Sequence, residues 1–289
     1  MTYYNAEKIV DQNIHGGDLR VYTLGFESGK PRVTDFVSLL IEVIPEFAFG
    51  VPDSSIDQTK LVGRIKEAAR SIYPVTSPVP EKIAGNLTRG ELGELILHLF
   101  LRDFFNSIPL ISSIYFKDSD GVAVHGFDAV HVVVDGDNKS LWLGESKFYQ
   151  DGKSGIRNIA QSIKEHFESS YLRRQFALIS KKVAGQFPDK EYWLELIHGK
   201  TSLDQIFSKV VVPCLCVYDC TTYASHQEAS DAFKKEILKE CESLKTLFDT
   251  QKQSITPADL DLLLLLFPVP SKKELGEDFN KKLFYFQSL

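Results

Sequence analysis

The chain lacks any apolar run long enough to cross a bilayer. Its longest, residues 262–267, falls far short of the roughly 20 residues that a spanning helix needs. The first residues, Met1-Thr2-Tyr3-Tyr4-Asn5, lack the basic stretch and apolar segment of a secretory leader. The expectation is a soluble, unprocessed protein of the cytoplasm. Cysteine is scarce: Cys214, Cys216, Cys220 and Cys241 include no paired C-x-x-C spacing. Cys214 and Cys216 alternate within an apolar strand and Cys220 lies beyond its end, a poor set for zinc, so reduced thiols are expected. Also missing are G-x-G-x-x-G and G-x-S-x-G. Gly199-Lys200-Thr201 lacks its upstream glycine, because Leu194 stands there, and Asp118-Ser119-Asp120-Gly121 lacks the later ligands of a calcium loop. His125 and His131 read as ordinary polar residues. Net positive charge is missing too: at -6, with a pI near 5.7, the chain is a poor candidate for a free-standing, tight nucleic-acid binder.

What is present is material for a core. With 289 residues, 43% of them hydrophobic and 25% charged, the chain can fold without metal or disulfide support. Residues 19–24 alternate as a short strand, and residues 34–44 read as a helix that Pro45 ends. Residues 54–72 carry Leu61, Ile65, Ala68, Ala69 and Ile72 at amphipathic spacing. Thr88-Arg89-Gly90-Glu91 has the form of a capping box and predicts a helix start, with Leu92, Leu95, Ile96 and Leu99 as its buried stripe. Residues 127–134 and 140–147 flank the turn cluster Asp135-Gly136-Asp137-Asn138 and predict a β-hairpin. Ile156, Ile159, Ala160, Ile163 and Phe167 mark a further amphipathic helix. Strands over 210–219 and 260–269 and helices over 228–252 and 272–286 complete an α/β chain with a mixed sheet. Its segments divide as 1–85 (N-terminal strand and helices packed on the core), 86–220 (the core) and 221–289 (a helix-strand-helix extension), together one compact unit.

Chemistry concentrates in the middle segment. A helix bearing Glu94 precedes a strand bearing Asp128, a turn, a strand bearing Glu145-Ser146-Lys147, and a helix bearing Arg157, Gln161 and Lys164. Because strand side chains alternate, Glu145 and Lys147 share a face with Leu141 and Leu143, and Asp128 can meet them there. Phosphodiester hydrolysis needs a divalent cation to neutralise phosphate oxygens and activate water, and hard cations take carboxylate and carbonyl oxygens. Asp128, Glu145, the Ser146 carbonyl and Glu94 are the candidate ligands of Mg²⁺ or Mn²⁺; Lys147 would orient water or stabilise charge on the phosphate. Glu91 is explained by the capping box and Glu94 is not. An E-x-K tripeptide alone is weak, since alternating charges on a strand face usually mean only a solvated surface. Leu141 and Leu143 on the same face make that reading fit badly here, and a buried Glu145 to Lys147 ion pair without catalysis is the remaining alternative. Arg157, Gln161 and Lys164 are candidate substrate contacts, although a solvated helix face accounts for Gln161 equally well. From Lys147 to Lys182 the chain has eight Lys or Arg against three Asp or Glu, a basic patch that follows the candidate site.

The sequence resembles the HamA family, nuclease subunits of Hachiman anti-phage defence systems. The residues that carry the resemblance are Arg89-Gly90-Glu91-Leu92-Gly93-Glu94, Gly126-Phe127-Asp128, Gly144-Glu145-Ser146-Lys147 and Phe267-Pro268-Val269-Pro270-Ser271. The resemblance implies a restriction-endonuclease-like core of the PD-(D/E)xK class that cuts DNA with a divalent metal and works with a superfamily 2 helicase, HamB, in a bacterium. By the same carry-over, Asp128, Glu145 and Lys147 match the catalytic motif and Glu94 its helix acid. Two other readings stand beside it: a catalytically silent nuclease-fold interaction module, and a stand-alone restriction or repair nuclease with its own site recognition.

Overall fold

The computed structural model describes residues 6–14, 17–50, 60–75, 77, 90–111, 126–255 and 260–289. Seven strands form one mixed sheet in the order β1-β2-β9-β8-β7-β6-β5. These are β1 (Val10–Ile14), β2 (Leu19–Leu24), β5 (Ile108–Pro109), β6 (Ala129–Asp135), β7 (Asn138–Phe148), β8 (Val210–Asp219) and β9 (Asp261–Val269); β3 (Phe26–Glu27) and β4 (Lys30–Pro31) pair separately. The strands β2, β9, β8 and β7 run parallel; β1 and β6 flank them antiparallel, and β5 pairs antiparallel with β6. Parallel strands are covered on both faces, which is why β8 and β9 read as nearly unbroken apolar runs and are buried along most of their length.

Helices cover the two faces. On one lie α1 (Val33–Phe49) and α3 (Gly90–Phe105), whose Phe36 and Phe100 rings both meet Phe267 of β9, at 5.1 and 5.0 Å. The helices α2 (Leu61–Ile72) and α9 (Lys272–Ser288) pack beside α1. The opposite face carries α4 (Gly152–His166) and α8 (Asp231–Lys252). Between β7 and β8 run α4 and three more helices, α5 (Ser169–Lys182), α6 (Lys190–Leu196) and α7 (Leu203–Phe207). All three sequence segments contribute strands to the one sheet.

Glycine sets two close approaches. A Cβ on Gly144 would lie 2.8 Å from Leu97 Cδ2 and 3.0 Å from Ala129 Cβ, so α3 rests directly on β7. A Cβ on Gly155 would lie 2.5 Å from the Cys216 sulfur, so α4 presses on β8 from the other side. The four cysteines are buried and free.

One expected boundary is corrected: α1 does not end at Pro45 but continues to Phe49. The missing proline N–H costs about 3 kcal/mol in a helix interior. Phe47 and Ala48 are buried beyond it, Phe47 meets His98 edge-on at 5.4 Å, and Glu46 accepts from Arg102 at 2.9 Å. The contacts of the following turn offset the lost bond. The capping box at Thr88, the start of the helix expected from residue 54, His125 and the turn at 118–121 lie outside the described residues.

Candidate active site

The site begins with the β6–β7 hairpin. Asp135 pairs with Asn138 across a two-residue turn in which Gly136 has φ 56°, a backbone that side-chain-bearing residues rarely adopt. That turn fixes the register, which sets Ala129 opposite Gly144 and leaves Asp128 one step ahead of the strand. The Asp128 amide still donates to Gly144 O at 2.9 Å. Its carboxylate Oδ2 accepts from Ser146 N at 2.7 Å and Ser146 Oγ at 2.9 Å. Asp128 therefore clamps across to the strand that bears the E-x-K tripeptide.

Strand alternation does the rest. Gly144, Ser146 and Phe148 face α3, where a Cβ on Gly93 would stand 3.1 Å from Ser146 Oγ. Gly93 thus lets α3 pass over Ser146 and carries the half-buried Glu94 alongside. Glu145 and Lys147 face α4. Glu145 is 2% exposed, and Lys147 Nζ donates to its Oε1 at 2.5 Å. His166 Nδ1, from the last turn of α4, lies 3.2 Å from Glu145 Oε2, an ion-pair distance.

The electrostatics are unbalanced. Burial, reinforced by Glu145 and then Glu94, pushes the Asp128 carboxyl well above the usual aspartate range, against the pull of Lys147 and the Ser146 amide. Burial works in the same direction on Glu145, but His166 and Lys147 outweigh it and hold that carboxyl below its ordinary value. Burial alone would lower Lys147; Glu145 and Asp128 overcome it and raise its pKa. Lys147 is therefore a fixed cation, suited to donating a hydrogen bond and unsuited to taking a proton. Among the described residues no three His, Cys, Asp or Glu side chains converge as a self-sufficient metal cage. The donor set fits instead a hard divalent cation that keeps several waters and takes one or two carboxylates plus substrate phosphate oxygens. Asp128 and Glu145 could supply those carboxylates.

The expected residues fall into two groups. Asp128, Glu145, Ser146 and Lys147 are in contact, and Glu94 is their electrostatic neighbour. Ser146 engages Asp128 through its amide and hydroxyl, a role the sequence pattern does not specify. Arg157 and Gln161 lie exposed on α4 and Lys164 is half-buried there; Gln161 donates to Glu165 at 2.6 Å within the helix. His131, read as ordinary, is buried and lies 3.2 Å from His98. Sequence reasoning passed over His166. Its signal was spacing: it stands three residues after Ile163 and seven after Ile159, a titratable group on an apolar stripe.

No curated protein and no solved structure matches this chain. The model of the HamA family matches residues 3–283, nearly the whole length, and the chain belongs to the HamA family.

Proposed function

We propose that this protein is the nuclease component of a Hachiman-type anti-phage defence complex. It hydrolyses DNA phosphodiester bonds with Mg²⁺ or Mn²⁺ held by Asp128 and Glu145, beside a superfamily 2 helicase subunit. One observation carries the reading: the half-buried Asp128, clamped to Ser146, lies within the electrostatic reach of Glu145 and Glu94, with Lys147 and Ser146 as partial relief. A structural Glu145 to Lys147 ion pair would account for two of these residues. It would not account for two further acids brought to the same place at a cost in desolvation. The surplus negative charge is what a divalent cation would neutralise.

When bound, the cation supplies charge neutralisation for the phosphate and activation of the attacking water. The protein's own groups do the positioning. Ser146 anchors Asp128 through two hydrogen bonds, so its second oxygen has a fixed aim. Lys147, whose side chain is 22% exposed, can donate from its ammonium to a phosphate oxygen as charge builds there. Glu94 adds a second acid for a second cation or an intervening water. The surface that approaches DNA is α4 with Arg157, Gln161 and Lys164, followed by Arg173, Arg174, Lys181 and Lys182 on α5. An acidic chain with so local a basic patch gains from a partner that holds the polyanion.

The test is cleavage of supercoiled plasmid and linear duplex by the purified chain, alone and with its helicase, in Mg²⁺, Mn²⁺ or EDTA. Metal-dependent cutting that disappears in Glu145→Ala and Lys147→Ala supports the reading. A complex that never cuts, or cutting that survives both substitutions, overturns it.

A further inference from the structure

His166 closes α4, and nothing in the proposed chemistry requires it. Its surroundings nevertheless hold it in one place. Tyr171 stacks on one face of the imidazole, with ring centroids 5.4 Å apart and planes 8° from parallel. Phe127, the residue before Asp128, meets the ring edge-on at 5.3 Å. The N-terminus of α5, which brings Tyr171, is itself pinned by Glu168 accepting from the Ser170 and Tyr171 amides at 3.1 and 3.0 Å. The imidazole is therefore wedged between the Asp128 segment and α5, with Nδ1 3.2 Å from Glu145 Oε2.

That contact has an informative geometry. Glu145 is bonded at Oε1 by Lys147, whereas Oε2 faces His166 Nδ1 at 3.2 Å. A carboxylate oxygen has two lone pairs, so a contact from His166 at one leaves the other for a cation. A ring held this close restricts rotation of the carboxylate. Glu145, on β7, has two remaining freedoms, rotation about its own side-chain bonds and displacement by Lys147. His166 contacts Oε2 while Lys147 holds Oε1, so each oxygen has its own restraint.

We propose that His166 is a positioning residue for the cation site: through Glu145, and with Tyr171 and Phe127 as its own supports, it fixes the carboxylate oxygen that meets the metal. The inference rests on the reading of Asp128 and Glu145 as cation ligands and assigns His166 no bond to the metal. Removal of groups that orient a metal ligand usually costs about 10–100-fold in affinity, and the same range applies here.

The test is Mn²⁺ binding to the full chain by calorimetry, with the Mn²⁺ signal followed by electron paramagnetic resonance, for wild type, Asp128→Asn, His166→Leu and His166→Asn. Asn sets its amide nitrogen near the place of Nδ1, so His166→Asn serves as the conservative variant. Thermal melting in EDTA identifies any variant that fails to fold. The expected result is Mn²⁺ binding that Asp128→Asn abolishes, that His166→Leu weakens at least about 10-fold, and that His166→Asn largely restores, with no nitrogen hyperfine coupling in the wild-type spectrum. Equal affinity in wild type and His166→Leu overturns the proposal and leaves the cation site standing. Nitrogen coupling that vanishes in His166→Leu overturns it in favour of direct ligation. No Mn²⁺ binding by wild type, or binding indifferent to Asp128→Asn, overturns the cation site and this proposal with it.

Discussion

Replacing Asp128 by Asn should make the cation-free protein more stable. In the folded chain this half-buried carboxyl is desolvated in the field of Glu145 and Glu94, and its pKa stands well above the ordinary value of 3.8. A carboxyl with a raised folded pKa favours folding in its protonated form. Its ionised form works against folding, so the penalty grows as pH climbs above 3.8 and levels off beyond the folded pKa. Asn keeps the oxygen that accepts from Ser146 and removes the charge. Relief of an unbalanced buried group is typically worth about 1–3 kcal/mol. For a chain of this size each kcal/mol moves the melting temperature by roughly 2–4 °C, so a rise of several degrees at pH 8 in EDTA is expected. Differential scanning calorimetry from pH 4 to 8 reads it, and the advantage of the variant should shrink toward the acid end. Added Mg²⁺ should then stabilise wild type and leave the variant where it was. A variant that melts at or below wild type in EDTA at pH 8, with its fold intact by circular dichroism, would refute the charge argument.

Three further outcomes follow from the same geometry. Lys147→Met should leave Mn²⁺ affinity within a few-fold and lower the cleavage rate by about 10²–10³-fold, the usual loss when a donor to developing charge is removed, as read by single-turnover cleavage. Gly155→Ala sets a methyl 2.5 Å from the Cys216 sulfur; it should destabilise by about 1–3 kcal/mol in urea melts, and combining it with Cys216→Ala should recover part of that loss, so the two changes should not add. His131 is buried, which lowers its pKa to about 3, and burial lowers His98 as well. The unfolded chain therefore takes up these protons first, and stability should fall as pH drops below 6.5, by about 1.4 kcal/mol per pH unit for each histidine. Urea midpoints between pH 7 and 4.5 should show a shallower slope in a folded His131→Asn variant.

The elements that carry the site were the most legible ones. The Asp-Gly turn flanked by β-branched residues marked the β6–β7 hairpin, and once the strands are set, period-two alternation brings Glu145 and Lys147 to one face. Strands β2 and β8 were bounded as observed, because apolar alternation in the first and an unbroken apolar run in the second end at turn residues. Strand β1 left little signal: Val10-Asp11-Gln12-Asn13-Ile14 lies at the sheet edge, where polar residues belong. Helix α5 opens on Glu168, an uncommon cap, and its stripe of Leu172, Phe176 and Ile179 is narrow amid basic residues. Missing α5 meant missing Tyr171, and with it the support that singles out His166. The Asp128 clamp on Ser146 was out of reach for another reason. It depends on Asp128 standing one step before the strand, a register detail that alternation alone does not supply.

The central claim is that Asp128 and Glu145 are brought together, against the cost of desolvating two acids, because a divalent cation belongs between them. The most direct measurement is the anomalous difference map of crystals grown with Mn²⁺ and collected near the manganese edge. The account predicts a peak contacting one carboxylate oxygen of Asp128 and Oε2 of Glu145, absent from Asp128→Asn crystals. No peak at millimolar Mn²⁺, or one that leaves both carboxylates uncoordinated, would contradict it.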